Sequence, residues 1–216
     1  MYKPRNRQDR QVRRSQIIEQ AIDVLGERGY FGFTLKDLAT RCDLTNPGLL
    51  HYFPSKEHVL LGVLEELEGR ESALIEPLAD SALAVREGPH GKALAINLLR
   101  TTARRASSQP RLMRLFAELQ SEALNESHPA HGWWRKRITA TSGFFANLLR
   151  PFVEDPETRA RQLLAMMDGL SLQWLHADQS FDLPGEWDKV LEIILPELCL
   201  DRGQGSTNDK NTALQE

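Results

Sequence analysis

Residues 34–56 read TLKDLATRCDLTNPGLLHYFPSK and are the most informative stretch of the chain. It contains two short helical segments joined by a turn and then the start of another helix. Thr34, with Asp37 three residues later, has the pattern of a capping box, in which the two side chains satisfy free backbone N–H groups at a helix start. The pattern predicts a helix that begins just after Thr34.

The second segment has its own start signal. Thr45 can cap a helix, and Pro47 falls in the first turn, where its missing N–H costs little. Asp43 lies in the turn between the segments, and aspartate tolerates left-handed backbone better than most residues. Pro54 and Ser55 end this helix and cap the next one, which we expect to continue into the low seventies.

Apolar residues recur at helical spacing through most of the chain, and no convincing strand pattern occurs. Upstream of the quoted stretch, an apolar stripe predicts a helix that closes near Gly29, a candidate for a left-handed cap. The downstream helices are predicted over 92–107, 110–125, 131–153, 156–178 and 185–199. The sequence therefore predicts an all-α chain.

Composition indicates a water-soluble protein with a local positive charge. The chain of 216 residues is 41% hydrophobic and 26% charged, with a net charge of −3, which argues against indiscriminate coating of nucleic acid. Residues 1–14, however, carry six basic side chains and one acid, a local net charge of +5. A basic segment at one end of an acidic chain is what a localised nucleic-acid contact requires.

Neither a signal peptide nor a membrane span is expected, because no apolar region follows the basic N-terminus and no run of ~18 apolar residues occurs. Cys42 and Cys199 are too far apart in sequence to suggest a disulfide framework, so we expect a reducing, cytoplasmic location. His128 and His131 flank Pro129 and are interpreted as solvated. We expect no metal, no cofactor and no catalytic residue, since nucleophile and base do not occur at motif spacing.

The segment after Thr45 is suited to contact DNA. Leu49 recurs with neighbouring apolar residues at an inward-facing spacing, which leaves the opposite side exposed. That side carries Asn46, Pro47, Gly48, His51 and Tyr52. Asparagine can read adenine, histidine and tyrosine can reach base edges or phosphates, and glycine permits close backbone approach.

Two helix starts flank this segment. Lys56 adds a full positive charge to the free amides at the start of the following helix, where a phosphate is favoured. Thr34 offers an amide and a hydroxyl at the opposite edge. A short helix and turn also occur in many proteins that do not bind DNA, and a basic N-terminal segment is often only a solvated tail.

At these positions the chain resembles the TetR family of transcriptional regulators, from Ile17 to Leu64. The matching residues are Thr34, Leu38-Ala39, Cys42-Asp43, Leu44-Thr45, His51-Tyr52-Phe53 and Lys56. The resemblance implies DNA contacts at Lys36, Asn46, Pro47, Gly48, His51 and Tyr52, and we add Thr34, Thr45 and Lys56. Two departures occur. Asp43 replaces the usual turn glycine, and Leu50 replaces a tyrosine that bonds a phosphate, a contact that is lost or passes to Tyr52.

The C-terminal half contains two segments, 161–178 and 187–200, that are apolar on several sides. Such helices form either an internal core or a subunit interface. The resemblance implies that the last two helices form a four-helix dimer interface, with Leu163, Leu170, Leu191, Ile194 and Leu198 as its candidate residues. A homodimer would place two recognition helices on a near-palindromic site.

An effector pocket is expected among the helices between residues 92 and 178. The candidate residues are Met113, Phe116, Gln120, Trp133, Phe144, Met167, Trp174 and His176. Aromatic and methionine side chains at helical spacing are more often ordinary core than pocket. The sequence does not identify the ligand.

We divide the chain into a basic arm (1–10), a helix-turn-helix unit (11–71), a helical regulatory and dimerisation part (72–200) and a disordered tail (201–216). The interpretation is a homodimeric repressor that binds palindromic double-stranded operator DNA and is released by a small-molecule effector. The alternatives are an all-helical enzyme and a structural interaction protein without DNA binding.

Overall fold

The computed structural model describes residues 7–85 and 88–199, and every regular element in this part of the chain is helical. The helices are α1 (Arg7–Gly32), α2 (Leu35–Arg41), α3 (Asn46–Leu50), α4 (Lys56–Ala84), α5 (Gly88–Ser108), α6 (Pro110–Glu122), α7 (His131–Leu149), α8 (Pro156–His176), α9 (Leu183–Ile194) and α10 (Pro196–Cys199). The all-α prediction is confirmed. None of the described helices combines the length and apolar character needed to cross a membrane.

Two predicted boundaries need correction. The helix α1 already begins at Arg7, so the last residues of the predicted arm are helical, while Lys3, Arg5 and the predicted tail at 201–216 lie outside the described residues. The helix α4 continues to Ala84 because alanine, leucine and glutamate are strong helix formers beyond residue 71. The division between residues 71 and 72 therefore falls inside one continuous helix.

The N-terminal helices share a hydrophobic core with the middle of the chain. Residues of α1 to α4 form most of this core, including Ile18, Leu38 and Leu49, all fully buried. Leu115 and Leu119 of α6 are buried in the same cluster. The helix-turn-helix unit is therefore packed against α6 rather than joined to the body only through α4.

A second core lies among α5, α7, α8, α9 and α10. The indole N–H of Trp187 donates to the carbonyl oxygen of Leu99 at 2.8 Å, which satisfies the polar atom of this buried ring. The predicted dimer residues belong to this core, which corrects their assignment. Leu163, Leu191, Ile194 and Leu198 are buried within the single chain, and Leu170 is half-buried against it. Periodicity indicated their burial, but it did not indicate which surface covers them.

A carboxylate joins α6 to the end of α1. At Gly29 the backbone has φ 65° and ψ 176°, which interrupts the helix and frees the following N–H groups. The Glu122 carboxylate accepts hydrogen bonds from the backbone N–H of Tyr30 at 2.7 Å and of Phe31 at 3.3 Å. A β-carbon on residue 29 would lie 2.5 Å from Glu122 Oε1, so this contact requires glycine.

His128 lies buried beside this contact. Its ring meets the rings of Tyr30 and Phe31 edge-on, at centroid distances of 4.8 and 5.4 Å. Its Nδ1 accepts from the Ala130 N–H at 3.1 Å, while Nε2 lies 3.5 Å from a Glu122 oxygen without a hydrogen bond. Burial lowers the pKa of His128, against a smaller opposing effect of the Glu122 charge. The prediction of a solvated His128 is therefore wrong.

Gly29→Ala should lower the free energy of unfolding by about 1–3 kcal/mol, because it forces a side chain into a conformation nearly restricted to glycine. Gly69→Ala is the matched control, since Gly69 lies inside α4 with open space around its missing β-carbon. That substitution should raise stability by roughly 0.5–1 kcal/mol. Urea denaturation midpoints measure both effects, and equal shifts would contradict the role of Gly29.

The stability of the protein should fall as the pH drops below the ordinary histidine pKa of about 6.5. Because the pKa of His128 is lowered in the folded chain, the unfolded chain binds more protons in this window, so acid favours unfolding. His128→Gln should reduce the loss in free energy of unfolding that occurs when the pH is lowered from 7.5 to a value below the pKa of His128 in the folded chain. His90→Gln, at an exposed position, is the control. An unchanged pH dependence in His128→Gln would contradict this assignment.

Candidate nucleic-acid interface

The start of α2 has the predicted capping box. Thr34 Oγ1 accepts from the Asp37 N–H at 3.1 Å, and the Asp37 carboxylate accepts from the Thr34 N–H at 3.2 Å. The hydrogen bond from the Thr34 hydroxyl is the main cause of the lowered pKa of Asp37, and Arg28 contributes a 3.0 Å ion pair. The Thr34 side chain is therefore committed to the cap, although the residue remains exposed.

The turn between α2 and α3 depends on left-handed backbone at Asp43, whose φ is 51°. The Leu44 N–H then donates to the Ala39 carbonyl oxygen at 2.9 Å. A guanidinium from α1 closes the turn, because Arg13 donates to the carbonyl oxygen of Cys42. Asp43 thus adopts the left-handed conformation for which a glycine is usual at this position.

The exposed face of α3 is narrower than predicted. Thr45 Oγ1 accepts from the Gly48 N–H at 3.2 Å, and Leu49 anchors the short helix in the core. Asn46, Pro47 and His51 are exposed, and Gly48 is partly exposed.

The tyrosine that follows α3 is partly covered. Tyr52 is half-buried against the core, and its ring meets the His51 ring edge-on at 5.7 Å. Leu50, in the position of the missing family tyrosine, is 38% exposed. Only the outer part of Tyr52 therefore remains for a contact.

Lys56 is held inside the helix-turn-helix unit. Its ammonium group lies 4.8 Å from the centroid of the Tyr30 ring and 4.7 Å from that of Phe33, and it donates to the Phe31 carbonyl oxygen at 3.3 Å. Burial lowers the pKa of this lysine, against the opposing charge of Glu122. In this structure the ammonium stabilises the end of α1, and a phosphate contact requires it to turn outward.

The basic residues of α1 also brace the unit. Arg13 holds the turn, and the Arg14 guanidinium lies 5.0 Å from the centroid of the Phe53 ring and 3.9 Å from a Glu65 oxygen. Arg10, one turn earlier, is exposed. The sequence indicated these arginines only as charges near DNA, because the partners Cys42, Phe53 and Glu65 lie in distant segments of the chain.

The predicted effector residues do not form one pocket, and this expectation is corrected. Phe116, Gln120 and Trp133 lie near each other between α6 and α7, and the first and last pack against the N-terminal core. The remaining residues belong elsewhere: Met113 and Trp174 pack in a small cluster with Leu183, Phe144 and Met167 pack on the second core, and His176 is exposed at the end of α8. Open clefts of about 510 and 400 Å³ contain none of the eight.

Comparison with known proteins agrees with this architecture. The sequence model described as "Bacterial regulatory proteins, tetR family" matches residues 17–63, which contain the whole helix-turn-helix. An uncharacterised HTH-type transcriptional regulator from the dhlA 5' region of Xanthobacter autotrophicus is 20% identical over 200 residues, covering 91% of this chain and 96% of that protein. The HTH-type transcriptional regulator BetI of Rhizobium meliloti is 25% identical over 167 residues, covering 75% and 77%.

Solved structures share the fold. FadR of Bacillus subtilis, determined in complex with stearoyl-CoA, has a TM-score of 0.64 and 18% identity, covering 85% of this chain and 98% of that one. NalD of Pseudomonas aeruginosa, a repressor of a multidrug efflux pump, has a TM-score of 0.65 and 17% identity, covering 88% and 98%. The arrangement of α1 to α4, the family match and the regulators that align along most of the chain agree: residues 17–63 form a helix-turn-helix unit of the tetR family type, and the chain is similar to HTH-type transcriptional regulators along most of its length.

Proposed function

We propose that the protein is a homodimeric, ligand-responsive repressor that binds palindromic operator DNA and is released by a small-molecule effector. The observation that carries this proposal is the exposed row of Asn46, Pro47 and His51 on a helix anchored by buried Leu49. A short rigid helix with polar groups on its outer side is suited to the major groove. A repressor of this kind acts in the bacterial cytoplasm, where its operator lies.

Around this row, backbone contacts differ from base contacts. Lys36 is exposed in the first turn of α2, two residues after Thr34. A lysine there contributes charge without sequence information. Asn46 at the start of α3 is placed to read a base edge, while Thr34 and Thr45 fix the two helix starts. Substitution of Lys36 should therefore change affinity, while substitution of Asn46 should change sequence preference.

A second copy of the chain supplies the symmetry that a palindrome requires. We propose that the outer faces of α8 and α9 form the interface, in place of the buried leucines. Met166 and Leu172 of α8 are 42% and 45% exposed, and Ile193 of α9 is 77% exposed. Gly169, between the two α8 residues, has open space around it and would permit close approach of a partner helix.

Release by an effector requires the two ends of the molecule to be coupled. The helix α4 runs from Lys56, beside α3, to Ala84 in the body, with Pro77 inside its C-terminal part. A ligand that shifts α4 or α6 would change the spacing of the two DNA-binding units, and DNA would oppose that ligand by the same free energy. A coupling of about 1–3 kcal/mol changes affinity by roughly 5- to 150-fold.

The relatives support this mode of action. NalD is a repressor that controls an efflux pump, and the FadR structure contains stearoyl-CoA. Both share the fold of the present chain at low sequence identity. They support a repressor that responds to a small molecule without identifying the molecule.

Lys36→Gln should weaken binding to all duplexes and reduce the slope of log Kobs against log salt by about one unit, because one phosphate contact is lost. Lys56→Met keeps the apolar stem over the rings and should produce the same change if the ammonium reaches a phosphate. Fluorescence anisotropy over a salt series measures both slopes. Lys136→Gln, exposed on α7, is the control. An unchanged slope in Lys56→Met, with reduced stability, would limit Lys56 to its bracing role.

Asn46→Ala should change the preferred sequence instead, with a discrimination loss of roughly 1–3 kcal/mol at one base pair of each half-site. Selection of bound sites from random DNA, at physiological salt, measures this preference and tests the proposed function directly. The expected product is a near-palindrome. Failure of the folded, effector-free protein to retain any duplex at low salt would overturn the proposal.

Ile193→Lys should shift the protein from dimer to monomer, because burying an uncompensated charge costs about 3–5 kcal/mol. Leu124→Lys is the matched control, since Leu124 is 81% exposed in the segment between α6 and α7. Sedimentation velocity over a concentration series measures the dimer affinity. Equal behaviour of the two variants would remove α9 from the interface.

A further inference from the structure

Leu50 is an exposed apolar residue at the end of the short helix α3. Its side chain is 38% exposed, whereas that of its neighbour Leu49 is fully buried. Leu49 already anchors this helix in the core, so a leucine at position 50 is not needed for that purpose. A single exposed leucine is common on protein surfaces, and its position on the helix decides whether it has a role.

The position of Leu50 is central on the exposed face of α3. Successive residues of a helix are rotated by about 100°, and His51 continues the helical backbone with φ −66° and ψ −28°. The exposed residues therefore follow each other across this face in the order Asn46, Leu50, Pro47 and His51. An apolar strip thus lies between two polar residues, on the side of the helix turned away from Leu49.

The apolar strip limits what this face can recognise on a duplex. Leucine has no donor or acceptor, so it cannot distinguish bases through the hydrogen-bonding groups of their edges. The apolar group that a base presents in the major groove is the C5-methyl group of thymine. A contact between this methyl group and a leucine side chain removes apolar surface of both from water. A leucine in this position therefore favours thymine over the other bases.

We infer that Leu50 reads the methyl group of a thymine in each half-site, beside the base edge that Asn46 reads. This assignment rests on the proposed DNA-binding function and adds the chemistry of one specificity determinant. The β-carbons of residues four apart in a helix are about 5–6 Å apart, and successive bases of one strand are about 3.4 Å apart. The thymine therefore lies within about two base pairs of the position that Asn46 reads.

The departure from the resembling regulators has a direct consequence at this position. A tyrosine there would bond a phosphate, and such a contact positions the protein without carrying sequence information. The leucine cannot form that bond and instead offers an apolar surface to a base edge. The substitution at position 50 thus exchanges a backbone contact for a base contact, and the chain depends more on the methyl group than on that phosphate.

The test uses the duplex that the wild-type protein selects from random DNA, with each thymine of the half-site replaced in turn by deoxyuridine. This replacement removes the methyl group and leaves base pairing unchanged. At one thymine, within about two base pairs of the position affected by Asn46→Ala, it should weaken wild-type binding about 4-fold for each half-site. That factor corresponds to about 0.8 kcal/mol for one methyl-sized group. Fluorescence anisotropy at constant salt measures the affinities.

Variants at position 50 assign the effect to this side chain. Leu50→Ala should bind the thymine and deoxyuridine duplexes equally, while Leu50→Met, which keeps an apolar side chain of similar size, should retain the preference. Leu61→Ala is the matched control, since Leu61 is 42% exposed on α4, and it should keep the wild-type ratio. Comparison of the ratios, rather than of single affinities, removes any effect of deoxyuridine on the duplex itself.

Two results would overturn the assignment. One is an equal deoxyuridine effect in the wild type and in folded Leu50→Ala. The other is a selected half-site in which no thymine at the expected distance responds to deoxyuridine, which would place Leu50 against the sugar–phosphate backbone. If Leu50→Ala does not fold, Leu50→Gln takes its place, because glutamine has similar length and helix propensity, and it should also lose the dependence on the methyl group.

These outcomes differ from a failure of the proposed function. If the protein binds a selected duplex without dependence on any thymine methyl group, only the role of Leu50 is wrong. If the folded, effector-free protein retains no duplex at low salt, the proposed function fails and the role of Leu50 fails with it.

Discussion

The packing of α6 along α1 is the interaction on which the rest of the structure depends. Leu115 and Leu119 bury their side chains in the core of the helix-turn-helix unit, and Glu122 satisfies the N–H groups freed at Gly29. Without this contact the unit would lose much of the apolar packing that joins it to the body. Because the apolar contacts and the carboxylate belong to the same helix, a movement of α6 is transmitted to the end of α1.

Several basic side chains of the helix-turn-helix unit make contacts within the fold, and these contacts do not involve DNA. Arg13 closes the turn between α2 and α3, Arg14 covers Phe53, and Lys56 covers Tyr30 and Phe33. Guanidinium and ammonium groups over aromatic rings contribute of order 0.5–2 kcal/mol each, which is similar to a helix cap. Among the described basic residues near the N-terminus, Arg13, Arg14 and Lys56 are therefore partly used inside the unit, while Arg10 and Lys36 remain exposed for phosphate contacts.

The family match over residues 17–63 and the relatives that align with most of the chain indicate a transcriptional regulator. The comparisons do not indicate the chemistry of the effector, which depends on the side chains of the helices after α4. The aromatic and methionine residues first expected to line a pocket are divided among three packed clusters.

Local signals determined the helix starts, because a cap or a proline acts within four residues. The capping box at Thr34, the cap at Thr45 and the left-handed turn at Asp43 were therefore all predictable, as was the family of the helix-turn-helix. Contacts between distant segments were decided only by the tertiary structure. Periodicity predicts that Leu163 is buried, but the same periodicity results whether a second subunit or the chain's own α7 and α9 cover it. Likewise Lys56 meets the rings of Tyr30 and Phe33, and Arg14 meets the ring of Phe53, all in distant segments, and no spacing along the chain records which of these rings a cation will meet.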